Sequence, residues 1–109
     1  MNELKSSTGN FQDRFNQVLN DNLSDCNFGI QELMRELGIG RSSLFSMVKN
    51  ELGISPLEAL KLRRLQVASE LLKKVTGVSH VYARVGFKSV AHFSRAFKKQ
   101  FGVSPSKYV

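Results

Sequence analysis

Residues 30–56, IQELMRELGIGRSSLFSMVKNELGISP, and residues 78–105, VSHVYARVGFKSVAHFSRAFKKQFGVSP, are two copies of one pattern. Ile30, Leu33 and Leu37-Gly38 of the first copy answer to Val78, Val81 and Val85-Gly86 of the second. Leu44 and Val48-Lys49 answer to Phe93 and Phe97-Lys98, and both copies end alike, in Gly53-Ile54-Ser55-Pro56 and Gly102-Val103-Ser104-Pro105. The offset is 48 residues before the turn and 49 after it, so one residue is inserted in the second turn. Apolar spacings of three and four residues are those of one helix face, and a glycine just past such a run is a helix stop. Each copy is therefore a helix, a glycine-bearing turn and a second helix, the helix-turn-helix plan. One such match arises by chance in helical proteins. Two in tandem, each closed by a Gly-(Ile/Val)-Ser-Pro tetrapeptide, are a self-similarity that defines the architecture.

The surrounding sequence is helical too. Phe11, Phe15, Val18, Leu19 and Leu23 form one apolar stripe, and Asp25 to Gly29 supplies turn residues. Between the copies, Ser55-Pro56-Leu57-Glu58 is a helix start, with a Ser cap, Pro at the first position and Glu at the third. Leu57, Leu60, Leu65, Ala68, Leu71 and Leu72 carry that helix to about Lys74, where Gly77 breaks it. Its 18 or so residues span roughly 27 Å, which suits two reading helices placed about one DNA turn, roughly 34 Å, apart. No strand-like alternation occurs. The expected fold is all-α, with about seven helices in two tandem, homeodomain-like helix-turn-helix subdomains joined by a long linker helix. The expected organisation is a flexible lead-in over 1–10, a first unit over 11–54, the linker over 56–74 and a second unit over 78–109.

Charge points to the partner. Residues 1–58 carry five Lys or Arg against eight Asp or Glu, a balance of −3, whereas residues 59–109 carry eleven against Glu70 alone, a balance of +10. Such a basic half is the footprint expected for a polyanion, and a solvated basic surface is the blander alternative. Cys26 is the only cysteine and forms no internal disulfide, which suits a reducing compartment; a buried or idle thiol is expected rather than a catalytic one. No charged-then-apolar leader opens the chain, and no apolar run reaches the roughly 18 residues of a membrane span. Catalytic residues, metal ligands and cofactors are not expected. The chain has no paired carboxylates in a pocket-forming context, no Cys/His cluster and no phosphate-binding glycine loop.

Gly86-Phe87 and the run Phe93-Ser94-Arg95-x-Phe97-Lys98-Lys99-x-Phe101-Gly102-Val103-Ser104-Pro105 resemble the C-terminal signature of the arabinose-regulator (AraC/XylS) family of transcription factors. The upstream stretch Leu37 to Leu44, then Lys49 and Leu52 to Pro56, resembles the same family, as does Arg63 to Leu72 in the linker. The likeness covers about residues 11–109. Asn22 to Asp25, Arg41 to Leu44 and Ser104 to Tyr108 are similar to output domains of response regulators and hybrid two-component sensors.

The resemblance implies that Arg41–Leu52 and Ser89–Gln100 are recognition helices. Base readers are then Arg41, Ser42, Phe45 and Ser46 in the first, and Ala91, His92 and Arg95 in the second. Arginine can fork onto guanine, serine can bond several bases, and an aromatic ring can meet a thymine methyl. Phe45 has core packing as its alternative, and Arg95 an internal salt bridge. Lys49, Lys88, Ser89, Lys98 and Lys99 are implied phosphate contacts, which set register and affinity rather than sequence choice. The helix starts near Gly29-Ile30 and Gly77-Val78 offer free amides to phosphate. His80 reads as a solvated surface residue. The implied function is a bacterial, cytoplasmic, sequence-specific transcription regulator, most often an activator. Its implied partners are double-stranded promoter DNA, RNA polymerase and an attached N-terminal receiver or sensor domain. The competing function is a module that binds protein, favoured by Met34 and Tyr82 where the family carries small residues and by Ser46 in the first recognition helix.

Overall fold

A computed structural model describes residues 8–74 and 78–108, all in helices and turns. The helices are α1 (Thr8–Asp21), α2 (Ile30–Leu37), α3 (Arg41–Leu52), α4 (Pro56–Lys74), α5 (Val78–Arg84), α6 (Val90–Phe101) and α7 (Pro105–Tyr108). The expected break at Gly77 lies outside the described residues. α1 begins at Thr8, before the first apolar residue of its stripe and within the stretch expected as a lead-in. None of these helices is long and apolar enough to cross a membrane.

The described residues divide into two compact units, one up to Asn22 with Phe28–Ala59, the other Leu23–Asn27 with Leu60 onward. The division falls inside α4, so the helix joining the two subdomains contributes residues to both units.

In the first unit Phe15, Leu19, Phe28, Leu33, Leu37, Leu44 and Val48 are buried. Gln12 Nε2 donates to Glu51 Oε1 at 3.0 Å, tying α1 to the end of α3. Arg14 donates to the Leu37 carbonyl at 3.3 Å, satisfying one of the free acceptors at the end of α2. The start of α4 is the expected capping box. Glu58 N–H donates to Ser55 Oγ at 3.2 Å, and Ser55 N–H donates to Glu58 Oε1 at 3.1 Å. Leu57 departs from expectation. It is 55% exposed, because Ala59 and Leu60 take the buried face of that first turn.

In the second unit Leu65, Ala68, Leu72, Val81, Val85, Phe87, Phe93 and Phe97 form one apolar cluster, with Tyr82, Phe101 and Tyr108 packed against it. Phe97 is central, with Phe93, Phe101 and Tyr108 centred 5.7, 4.5 and 5.1 Å from its ring. The repeat is visible in the burial: Leu33 and Val81, Leu44 and Phe93, and Val48 and Phe97 are all 0% exposed.

The second unit also contains a close approach that has no counterpart in the first. Arg64 of α4 donates from Nη2 to the Asp25 carbonyl at 2.8 Å, holding the Leu23–Asn27 loop. Its Nε is buried with no partner among the described residues. Burial lowers the Arg64 pKa from its ordinary value, opposed by Asp25 and Cys26. Gly86 sits against this arrangement at φ 81°, where any Cβ would run into the Leu23 carbonyl and lie 2.7 Å from Arg64 Nε. Cys26, in the same loop, is exposed rather than buried.

Candidate nucleic-acid interface

Burial of Leu44 and Val48 on α3 turns Arg41, Ser42, Ser46 and Lys49 outward, all exposed, with Phe45 half-buried beside them. Residues 41 and 45, and 42 and 46, are one turn apart and share a face. The Arg41 guanidinium lies over the Phe45 ring, 4.8 Å from its centroid. Phe45 also lines an open groove with Ser46, Lys49, Ser55 and Glu58. Lys49 Nζ is 3.4 Å from the Gly53 carbonyl, close enough to steady the helix end while the side chain stays exposed.

On α6 the buried pair is Phe93 and Phe97, and Ala91, His92, Arg95, Lys98 and Lys99 are exposed. Arg95 is two residues from each buried phenylalanine, hence roughly opposite them on the helix. No hydrogen bond or ion pair engages it among the described residues, so the salt-bridge alternative finds no support there. Lys88 and Ser89 are exposed in the turn before α6. Ser89 is the N-cap, its Oγ accepting the His92 N–H at 3.1 Å, which leaves the hydroxyl proton free to donate. The His92 ring stands edge-on to Phe87 with centroids 5.4 Å apart.

Neither α3 nor α6 carries an acid in its first turn, whereas α2 and α4 carry Glu32 and Glu58 there. Both α3 and α6 therefore keep the positive end of their dipoles uncompensated, as α1 and α5 also do, which favours an anionic partner there. The expected phosphate site at the start of α2 is not formed this way. Glu32 Oε1 accepts the Gly29 N–H at 2.9 Å and puts a carboxylate where the phosphate would sit. The matching site near Gly77 lies outside the described residues.

One surface residue escaped the sequence reading. Val90 opens α6, is 42% exposed and stands in register with Arg41, so the repeat itself was the signal for it. An apolar side chain there can meet a thymine methyl. The repeat also sets Ser46 opposite Arg95, so the two helices place their arginines at different heights.

A family model described as a helix-turn-helix domain matches residues 33–109. A histidine kinase P4 of Formosa agariphila is 33% identical over 93 residues, covering 84% of this chain and 7% of that protein. The arabinose operon regulatory protein of Escherichia coli is 34% identical over 93 residues, 84% of this chain and 32% of the regulator. Among solved structures, the C-terminal domain of AraT, a response regulator from Geobacillus stearothermophilus, matches with a TM-score of 0.81 and 33% identity. That likeness covers 87% of this chain and 79% of the AraT chain. Against three of the curated relatives the chain spans 7%, 27% and 41% of their length.

Proposed function

Because the chain belongs to the arabinose-regulator (AraC/XylS) family of helix-turn-helix transcription regulators, and is of the type found as output domains of two-component proteins, we propose that it reads promoter DNA with α3 and α6 in successive major-groove segments. The observation that carries this is the repeated exposed face, set opposite Leu44 and Val48 on α3 and opposite Phe93 and Phe97 on α6. Arg41, Ser42 and Ser46 read bases in the first segment, with Phe45 on the same face beside Arg41, and Ala91, His92 and Arg95 read them in the second. Lys49, Lys88, Ser89, Lys98 and Lys99 hold phosphates. The role is binding, without a catalytic step.

Since the relatives are longer than this chain, we further place it as the output part of a bacterial cytoplasmic protein with a receiver or sensor domain. It acts as an activator by bringing RNA polymerase to the promoter.

With a balance of +10 over residues 59–109, about six Lys or Arg side chains are expected to meet phosphates. Log affinity should therefore fall against log salt with a slope of roughly −5 in a fluorescence-anisotropy titration. A slope near zero would sink the DNA reading. Two readers on one chain also predict one protein per site. Sedimentation on a short duplex carrying two groove segments should give a one-to-one complex, and binding only as pairs would contradict the tandem arrangement.

A further inference from the structure

We propose that Phe45 is a positioning residue: its ring holds the Arg41 guanidinium ready for the groove, so the first unit's base preference belongs to the pair rather than to Arg41 alone. This rests on Arg41 being a base reader. Three observations lead to it. First, the register of the repeat puts Ser46 at the height of Arg95, so α3 has no arginine in mid-helix and carries it five residues earlier, as its first residue. Second, that position is poor for a cation, since the helix dipole is positive there and no acid in the first turn offsets it. Helix stability therefore does not account for Arg41. Third, the guanidinium lies 4.8 Å from the centroid of a half-buried ring, within reach of a cation–π attraction.

A long exposed arginine loses rotamer freedom on docking, and a partner that already restrains it reduces that loss. The planar guanidinium can lie on the ring and still present its N–H edge to a guanine. Phe45 is thus assigned a different task from the thymine contact its position first suggests. It acts through Arg41.

The test uses the whole chain and a duplex recovered by selection from a random pool, together with single-base changes within the segment read by α3. Arg41→Ala should weaken the selected duplex about tenfold and flatten the preference at one base pair. Phe45→Leu should weaken it about fourfold and flatten the same base pair, while Phe45→Tyr, which keeps the aromatic face, stays within about twofold of the parent. Arg41→Ala combined with Phe45→Leu should bind about as well as Arg41→Ala alone, because the two losses share one interaction. Far-UV circular dichroism and the rescue by tyrosine separate this from a folding defect. The proposal is overturned if Phe45→Leu keeps the preference that Arg41→Ala removes, if the losses add, or if Phe45→Leu flattens a different base pair. If Arg41→Ala leaves every preference intact, the base-reading role of Arg41 fails and the proposal with it. If Arg41→Ala flattens a preference and Phe45→Leu does not, only the positioning role fails.

Discussion

Gly86→Ala is expected to destabilise the second unit by about 3–4 kcal/mol, against about 1–2 kcal/mol for Gly38→Ala at the matching position of the first. Both glycines end a helix at positive φ, 81° for Gly86 and 69° for Gly38, so both substitutions force a left-handed alanine. The difference lies in what the new methyl meets. Beside Gly38 there is nothing within 4 Å, whereas beside Gly86 stand the Leu23 carbonyl and the Arg64 guanidinium. Neither gives way cheaply. Leu23 is backbone, and Arg64 is anchored by its bond to the Asp25 carbonyl at 2.8 Å. Thermal unfolding should show a fall in Tm of roughly 10–20 °C for Gly86→Ala and a much smaller one for Gly38→Ala. Removing the guanidinium as well, with Arg64→Met, should not restore stability, because the clash with the Leu23 carbonyl remains. Equal losses at the two glycines would show that the Leu23–Asn27 loop is free to move away.

That contrast marks what the residues disclosed beforehand. Gly38 and Gly86 are the same letter in the same place of a repeat, and the repeat correctly pairs Leu33 with Val81, Leu44 with Phe93 and Val48 with Phe97 as buried positions. Periodicity is a local property, so it reports the helices and their inward faces well. It does not report which loop passes over a glycine, since Leu23 and Gly86 are far apart in sequence and meet only through the tertiary fold. Leu57 shows the opposite weakness. It belongs to an apolar periodicity yet is exposed, because a helix of alternating choices can bury Ala59 and Leu60 instead. Thr8 to Asn10 gave no apolar signal at all, although α1 includes them. At the interface, burial opposite the readers followed directly from the repeat. The ring under Arg41 did not, even though residues 41 and 45 have the spacing of neighbours on one face, because that spacing does not say which rotamers meet.

Arg95→Ala and Lys99→Ala are expected to fail in different ways, and the difference tests the proposed division between base readers and phosphate holders. Both side chains are exposed on α6, and both substitutions remove one positive charge. A pure charge account therefore predicts the same loss for each. Geometry separates them. Arg95 lies in the middle of the helix, roughly opposite Phe93 and Phe97, with no partner engaging it among the described residues. Lys99 is one turn later, in the last turn of α6, where a lysine also suits the negative end of the helix dipole. A helix entering the groove by its first turns leaves its last turn near the phosphates. Arg95→Ala should accordingly cost about 1–3 kcal/mol on the selected duplex and relax the preference at one base pair, leaving affinity for random DNA much less changed. Lys99→Ala should weaken selected and random duplexes by similar factors and make the salt slope shallower by about one unit. Circular dichroism on both variants guards against reading a lost fold as a lost contact. Equal weakening of selected and random DNA by Arg95→Ala would move Arg95 to the backbone, and sequence choice in the second segment would then rest on His92. The edge-on packing of His92 against Phe87 at 5.4 Å would make it the better-ordered reader of the two.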